Sequence, residues 1–203
     1  MKNLIITSLL ALLMFNANNA QATLITAEHN QSTYQAGDNV SITVDISAIE
    51  SEFGFQKLLS TFNFDVNFNA NVLQFNSVTF GNKINVDPDP FFASIQYADV
   101  LTPEKLNIGE IGFALSNDLF FAQDGLANFT LATINFTALM SGMTDVVLSN
   151  VALADDLGQN FTQINVQNSN AAIGHVTSVP EPTTLSLFLL VLLAAIRFKP
   201  TTK

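Results

Sequence analysis

The chain has no cysteine and no tryptophan, only two histidines, and seven cationic residues against seventeen acids in 203 residues. The missing thiol excludes disulfide-stapled scaffolds, thiolate metal sites and cysteine nucleophiles. Residues 23–179 hold Lys57, Lys83 and Lys105 against sixteen acids, a net charge of −13. A surface so poor in bases cannot neutralise phosphates, so no nucleic acid is expected as a partner. His29 and His175 exhaust the imidazoles and lie at opposite ends of this segment, which leaves little for histidine-based catalysis. No G-x-S-x-G, P-loop or H-E-x-x-H motif occurs. Among so many acids, no particular carboxylate pair stands out for glycoside hydrolysis. The expectation is a protein that is not an enzyme.

What is abundant is phenylalanine, eighteen residues set among valine, isoleucine, threonine and asparagine. In NVSITVDIS, Val40, Ile42, Val44 and Ile46 alternate with Ser41, Thr43 and Asp45. In TFNFDVNF, Phe62, Phe64, Val66 and Phe68 alternate with Asn63, Asp65 and Asn67. That period of two predicts strands with one face buried. Further strands are expected at 72–80, 110–116, 128–139, 144–153, 161–166 and 171–176. In the 128–139 stretch the apolar phase passes from Phe129 and Leu131 to Ile134 and Phe136, which implies either a bulge or burial on both faces. Residues 82–109, with Pro88 and Pro90, read as a long loop with a short helical turn near TPEKL. Many short strands with turn residues between them predict an all-β, antiparallel sandwich.

Both ends read differently from the middle. Lys2, the apolar run Leu4–Phe15 and the small residues Ala20 and Ala22 form the pattern of a cleavable secretion signal over residues 1–22. The other end, SVPEPTTLSLFLLVLLAAIRFKPTTK, carries an uncharged stretch from Leu185 to Ile196. A helix rising about 1.5 Å per residue would cover only about 18 Å there, against a bilayer core of about 30 Å. Arg197, Lys199 and Lys203 favour a cytoplasmic tail tip, so the run is expected to anchor the chain transiently, with the domain outside.

Asp87, Asp89, Asp155 and Asp156 are hard oxygen donors beside turns and are the candidates for calcium, although no EF-hand spacing accompanies them. No other cofactor is implied. Asn39, Asn128, Asn135 and Asn160 match a glycosylation sequon of the kind that asparagine- and threonine-rich strands produce by chance.

VPEP, a short apolar run and a basic end together resemble the PEP-CTERM sorting signal of Gram-negative bacteria, with Pro180, Glu181 and Pro182 as the motif. The basic end has a single arginine where that family carries a denser cluster. The resemblance implies recognition by an exosortase in the inner membrane and delivery to the cell surface or exopolysaccharide matrix. The stretches QAGDNVSITVDIS, FNFDVNFNANVLQFNSVTFG and FTLATINFTALMSGMTDVVLSNVALADDLG are similar in order and spacing to cohesin-like modules. That resemblance implies a jelly-roll sandwich of about nine strands over residues 23–177, followed by the sorting signal at 178–203. The function expected is a non-catalytic surface or matrix protein that binds exopolysaccharide or a protein partner. The alternatives are an enzyme acting on exopolysaccharide and a dockerin-type protein-binding module.

Overall fold

The computed structural model describes residues 22–174 apart from residues 53 and 88. Ala20, Pro180, Glu181, Pro182, Arg197, Lys199, Lys203 and His175 lie outside the described residues, and Ala22 is the first of them. Fourteen strands run in chain order: β1 Thr23–His29, β2 Thr33–Gln35, β3 Asn39–Ser47, β4 Ser51–Glu52, β5 Phe55–Gln56, β6 Leu59–Asn67 and β7 Leu73–Phe80, then β8 Ile95–Thr102, β9 Lys105–Ile111, β10 Asn128–Ala138, β11 Gly142–Asp145, β12 Val147–Asp155, β13 Ile164–Asn168 and β14 Asn170–Gly174. A five-stranded sheet, β13-β1-β3-β10-β7, and a four-stranded sheet, β12-β6-β9-β8, supply the two layers. Together they account for the nine strands expected of the sandwich. A small β11-β14-β2 sheet and a β4-β5 flap are additional.

The alternation read from the sequence sets the core. Val40, Ile42, Val44 and Ile46 of β3 and Phe62, Phe64 and Val66 of β6 are all fully buried. The Phe62 and Phe64 rings stack at 5.4 Å between centroids, and Phe136 meets Phe68 edge-on at 5.0 Å. The phase change in β10 is a bulge: its register against β3 shifts between Thr130 and Ala132. Gly81 fits there because a side chain would place its Cβ 2.0 Å from the Thr130 carbonyl oxygen.

Four sequence expectations need correction. The sheets are not wholly antiparallel, since β1 pairs with β13 and β14 with β2 in parallel. Local alternation cannot report which distant strand, in which direction, becomes the neighbour. Second, residues 82–109 are not one long loop. The prolines confine the irregular backbone to the segment before Ser94, including a 3-10 turn at Pro90–Phe92 capped by Asp89. Beyond it, β8 and β9 form a hairpin, and within TPEKL only Pro103 and Glu104 are its turn, with no helix there. Third, the strand expected over 110–116 ends at Ile111, and a helix follows at Ser116–Gln123. Leu119 and Gln123 are its buried residues, and the Gln123 amide accepts from Leu59 N–H at 2.8 Å while donating to the Leu59 and Lys83 carbonyls at 2.7 Å each. Fourth, the single strand expected over 144–153 is two, β11 and β12, in different sheets.

Glu110 is a carboxylate on the mainly apolar inner face. It points inward from β9, 1 % exposed, and its Oε1 accepts from Ser94 Oγ at 2.6 Å and Gln96 Nε2 at 2.9 Å. Burial raises its pKa above the usual carboxylate range. The two donors fasten the start of β8 and the segment before it onto the four-stranded sheet.

Candidate functional site

The outward face of the four-stranded sheet is a regular grid, because residues directly paired across strands share a face. Its rows, from β12 across to β8, are Ala154–Thr61–Ile111–Ile95, Ala152–Asn63–Gly109–Tyr97, Ser149–Asp65–Asn107–Asp99 and Val147–Asn67–Lys105–Thr102. The sequence pattern placed Asn63, Asp65 and Asn67 on this side. Apart from Ile111, which the expected 110–116 strand includes, what β8 and β9 contribute was hidden by reading 82–109 as a loop, although the proline-free run SIQYADVLT was the available signal.

At the centre, Asp65 is 5 % exposed and its carboxylate is surrounded by donors. Lys105 Nζ lies at 2.8 Å, Asn107 Nδ2 at 2.9 Å and Asn150 Nδ2 at 2.5 Å. The Lys105 ammonium first, then the two amides, hold its pKa down to about 2. Asn150 reaches the cluster from a bulge, where the β12 register skips between Ser149 and Ala152. Its φ of 51° is in the left-handed region, which asparagine tolerates better than most side chains. Asn63 Nδ2 donates to Tyr97 Oη at 2.8 Å and to Asn107 Oδ1 at 3.1 Å, and Asn67 Nδ2 donates to Ser149 Oγ at 2.8 Å. Tyr97 lies across Gly109, where any Cβ would sit 2.4 Å from the phenol oxygen.

Apolar residues flank this network. Ile95 and Ile111 are a directly paired, exposed couple at one end, and Val147 is exposed at the opposite corner. A fixed polar centre with apolar anchors and few mobile charges is chemistry suited to docking a protein surface. No group on it is arranged as a nucleophile with a base.

The other sequence candidates are placed elsewhere. Asp87 Oδ1 accepts from Asp89 N–H at 2.8 Å, and Asp89 Oδ1 accepts from Phe91 N–H at 2.9 Å. Asp155 Oδ1 accepts from the N–H groups of Leu157 and Gln159 at 3.0 and 2.8 Å, and its Oδ2 is 3.7 Å from Lys57 Nζ. These three carboxylates act on neighbouring backbone, and the fourth, Asp156, lines a separate cleft. Among the described residues, no three of His, Asp and Glu are grouped to hold a metal ion. His29 is tied between Ser169 Oγ, 2.8 Å from Nδ1, and Thr144 Oγ1, 2.9 Å from Nε2. Thr144 also donates to the Ala171 carbonyl and accepts from its N–H, so this histidine joins β1 to β11 and the β13–β14 connection.

No helix among the described residues is long and apolar enough to cross a membrane. The chain gives no significant match to a curated protein sequence. Among solved structures it resembles the second type II cohesin module of the adaptor ScaA scaffoldin of Acetivibrio cellulolyticus, including its long C-terminal linker. The identity there is 20 % with a TM-score of 0.58, over 80 % of this chain and 98 % of that one. A cohesin module from a family 33 glycoside hydrolase of Clostridium perfringens is 13 % identical with a TM-score of 0.54, over 76 % and 97 %. A non-cellulosomal cohesin from the hyperthermophilic archaeon Archaeoglobus fulgidus is 15 % identical with a TM-score of 0.50, over 78 % and 94 %. Such identities speak for a shared fold alone. The cohesin domain profile matches residues 25–173, a span that takes in the nine-stranded sandwich and its four-stranded outer face, and the chain therefore belongs to the cohesin domain family.

Proposed function

We propose that this chain is an exported, non-catalytic module that docks a protein partner of the dockerin kind through the outward face of its four-stranded sheet. The observation that carries the reading is the preassembled Asp65–Lys105–Asn107–Asn150 network flanked by exposed Ile95, Ile111 and Val147. Its donors and acceptors are already ordered, so a partner gains contacts without fixing loose side chains first. Cohesin domains are non-catalytic binding modules, which supports the same conclusion. Solved cohesins similar to this one include a type II module described in a cohesin–X-dockerin complex of Acetivibrio cellulolyticus, 18 % identical with a TM-score of 0.57, over 73 % of this chain and 98 % of that one.

The terminal motifs support a route to the outside. Ala20 and Ala22 would mark removal of the leader, and Pro180, Glu181 and Pro182 would be gripped by an exosortase while Arg197, Lys199 and Lys203 stay in the cytoplasm. Delivery to the surface or matrix of a Gram-negative cell follows from that reading.

Calorimetric titration of the chain with a panel of dockerin modules tests the docking role. Saturable binding is expected, weakened at least about 30-fold by Ile95→Asp with Ile111→Asp, the loss of about 2 kcal/mol expected when an apolar anchor pair is replaced by charges. Failure of every dockerin to bind a folded chain defeats the partner assignment. Binding of exopolysaccharide instead, abolished by the same substitutions, would give the face to a sugar.

A further inference from the structure

A second surface lies where β12 ends and β6 begins. A cleft of about 480 Å³ opens there between the β4–β5 flap, the C-terminal end of the helix and the Asp155–Gln159 turn. That volume is within the roughly 300–1,000 Å³ usual for ligand clefts. Phe55, Phe120 and Leu157 line it and are 75 %, 43 % and 74 % exposed, well beyond what a core-facing side chain shows. Glu52, Asp124 and Asp156 stand beside them.

The single cation of the cleft is already engaged. The Lys57 side chain is 8 % exposed, with Nζ at 3.3 Å from Glu50, 3.7 Å from Asp155 and 3.8 Å from Glu52, and it sits 5.5 Å from the centre of the Phe161 ring. Asp155 is further committed to the backbone of its own turn. The side chains of Asp124 and Asp156 form no ion pair or hydrogen bond with another described residue. The cleft thus combines aromatic and aliphatic walls with a surplus of carboxylates.

We infer that this cleft binds an arginine side chain, with an apolar neighbour, presented by a protein partner, at a site separate from the four-stranded face. The charge surplus repels anions, and a purely apolar occupant would strip water from carboxylates without replacing it. A guanidinium satisfies both halves of the cleft. It is weakly hydrated, stacks on a phenylalanine ring, and forks onto a carboxylate with two parallel hydrogen bonds. A divalent cation fits less well, since the three acids that do converge, Glu50, Glu52 and Asp155, already surround the Lys57 ammonium, and no three among the described residues are grouped to hold a metal ion.

The test is fluorescence anisotropy of the full chain with a fluorescein-labelled hexapeptide carrying two arginines around a tryptophan. Its partners are the same peptide with citrulline, the neutral isostere, in place of arginine, and calcium chloride as competitor. Saturable binding of the arginine peptide is expected, with none for the citrulline form. Asp124→Asn with Asp156→Asn, and separately Phe120→Ser, should each weaken binding on the order of 10-fold, as expected for losing a charge-assisted or a stacking contact. Phe120 and Asp124 are exposed and Asp156 is half-buried with no side-chain partner among the described residues, so thermal midpoints should match wild type. Ile95→Asp, on the other face, should leave the peptide affinity unchanged. The proposal is overturned if no saturation occurs up to about 1 mM peptide, the weak end of specific binding. It is equally overturned if citrulline binds as well as arginine, if Ile95→Asp abolishes binding, or if calcium displaces the peptide while Phe120→Ser has no effect.

Discussion

His29 shows how one side chain couples folding to pH. Thr144 Oγ1 spends its proton on the Ala171 carbonyl, so the His29 Nε2–H donates to Thr144 and Nδ1 accepts from Ser169. The neutral ring suits this arrangement, and burial lowers its pKa from 6.5 even though the Asp145 charge pulls the other way. A depressed folded pKa gives stability that is present above the unfolded value and lost as pH falls through the folded one. The urea midpoint of wild type over His29→Gln should therefore be constant above about pH 6.5 and shrink below it. A difference that grows on acidification would mean the charged ring is the one accommodated. Asp65 follows the same sign at lower pH: its contribution is complete above 3.8 and disappears as pH falls towards about 2. The carboxyl resonance of Asp65 should therefore titrate well below those of exposed aspartates. For the core, Phe64→Ala should cost on the order of 3–5 kcal/mol in equilibrium unfolding, since the fully buried ring leaves a cavity against Phe62.

Two devices at the scale of the element hold the docking face in shape. The β12 bulge turns Asn150 into the left-handed region and delivers its amide to Asp65. Asn150→Val, β-branched at positive φ, should therefore destabilise by about 1–3 kcal/mol. Asn150→Gly keeps the backbone unstrained and should lose less, only the hydrogen bond to Asp65, while weakening partner binding through the missing amide. Equal stability losses in both would place the effect in the side chain rather than the backbone. The other device is the β8–β9 hairpin, in which Tyr97 packs onto bare backbone at Gly109. Gly109→Ala should lift Tyr97 and loosen β8, seen as faster amide exchange along Ile95–Thr102 with β3 and β10 unchanged.

For the whole molecule, the domain, the charge and the tail make one argument. A domain of net charge −13 favours cationic partners and solubility outside the cell. If the tail is the sorting signal proposed, substituting Pro180, Glu181 and Pro182 by alanine should leave full-length protein in the inner membrane, whereas wild type should reach the surface or matrix without its tail. Fractionation of the native cell with mass spectrometry of the mature termini reads both outcomes. Release of a shortened triple variant would reduce the tail to a marginal anchor.

Strand identity was written in the sequence wherever one side of a strand meets core and the other meets water. The period of two in Val40–Ile46 and Phe62–Phe68 is local, imposed by alternating Cβ directions, and it specified the buried rows, while the phase change in 128–139 left a bulge and two-sided burial open until the β3 pairing decided for the bulge. The terminal motifs are likewise local patterns, and apart from Ala22 they lie outside the described residues. Where the pattern was weak the reading failed. In β8, Ile95, Val100 and Leu101 are all exposed, so edge position erased the alternation that marks a half-buried strand. The helix Ser116–Gln123 buries only Leu119 and Gln123, too narrow a stripe to announce itself. Pairing, direction and convergence belong to the tertiary structure alone. The parallel neighbours of β1 and β2, the meeting of Asp65 with Lys105 and Asn150, and the cleft around Lys57 all join residues far apart in the chain. Such contacts are decided by which apolar faces close over one another, and no local spacing in a single chain encodes that choice.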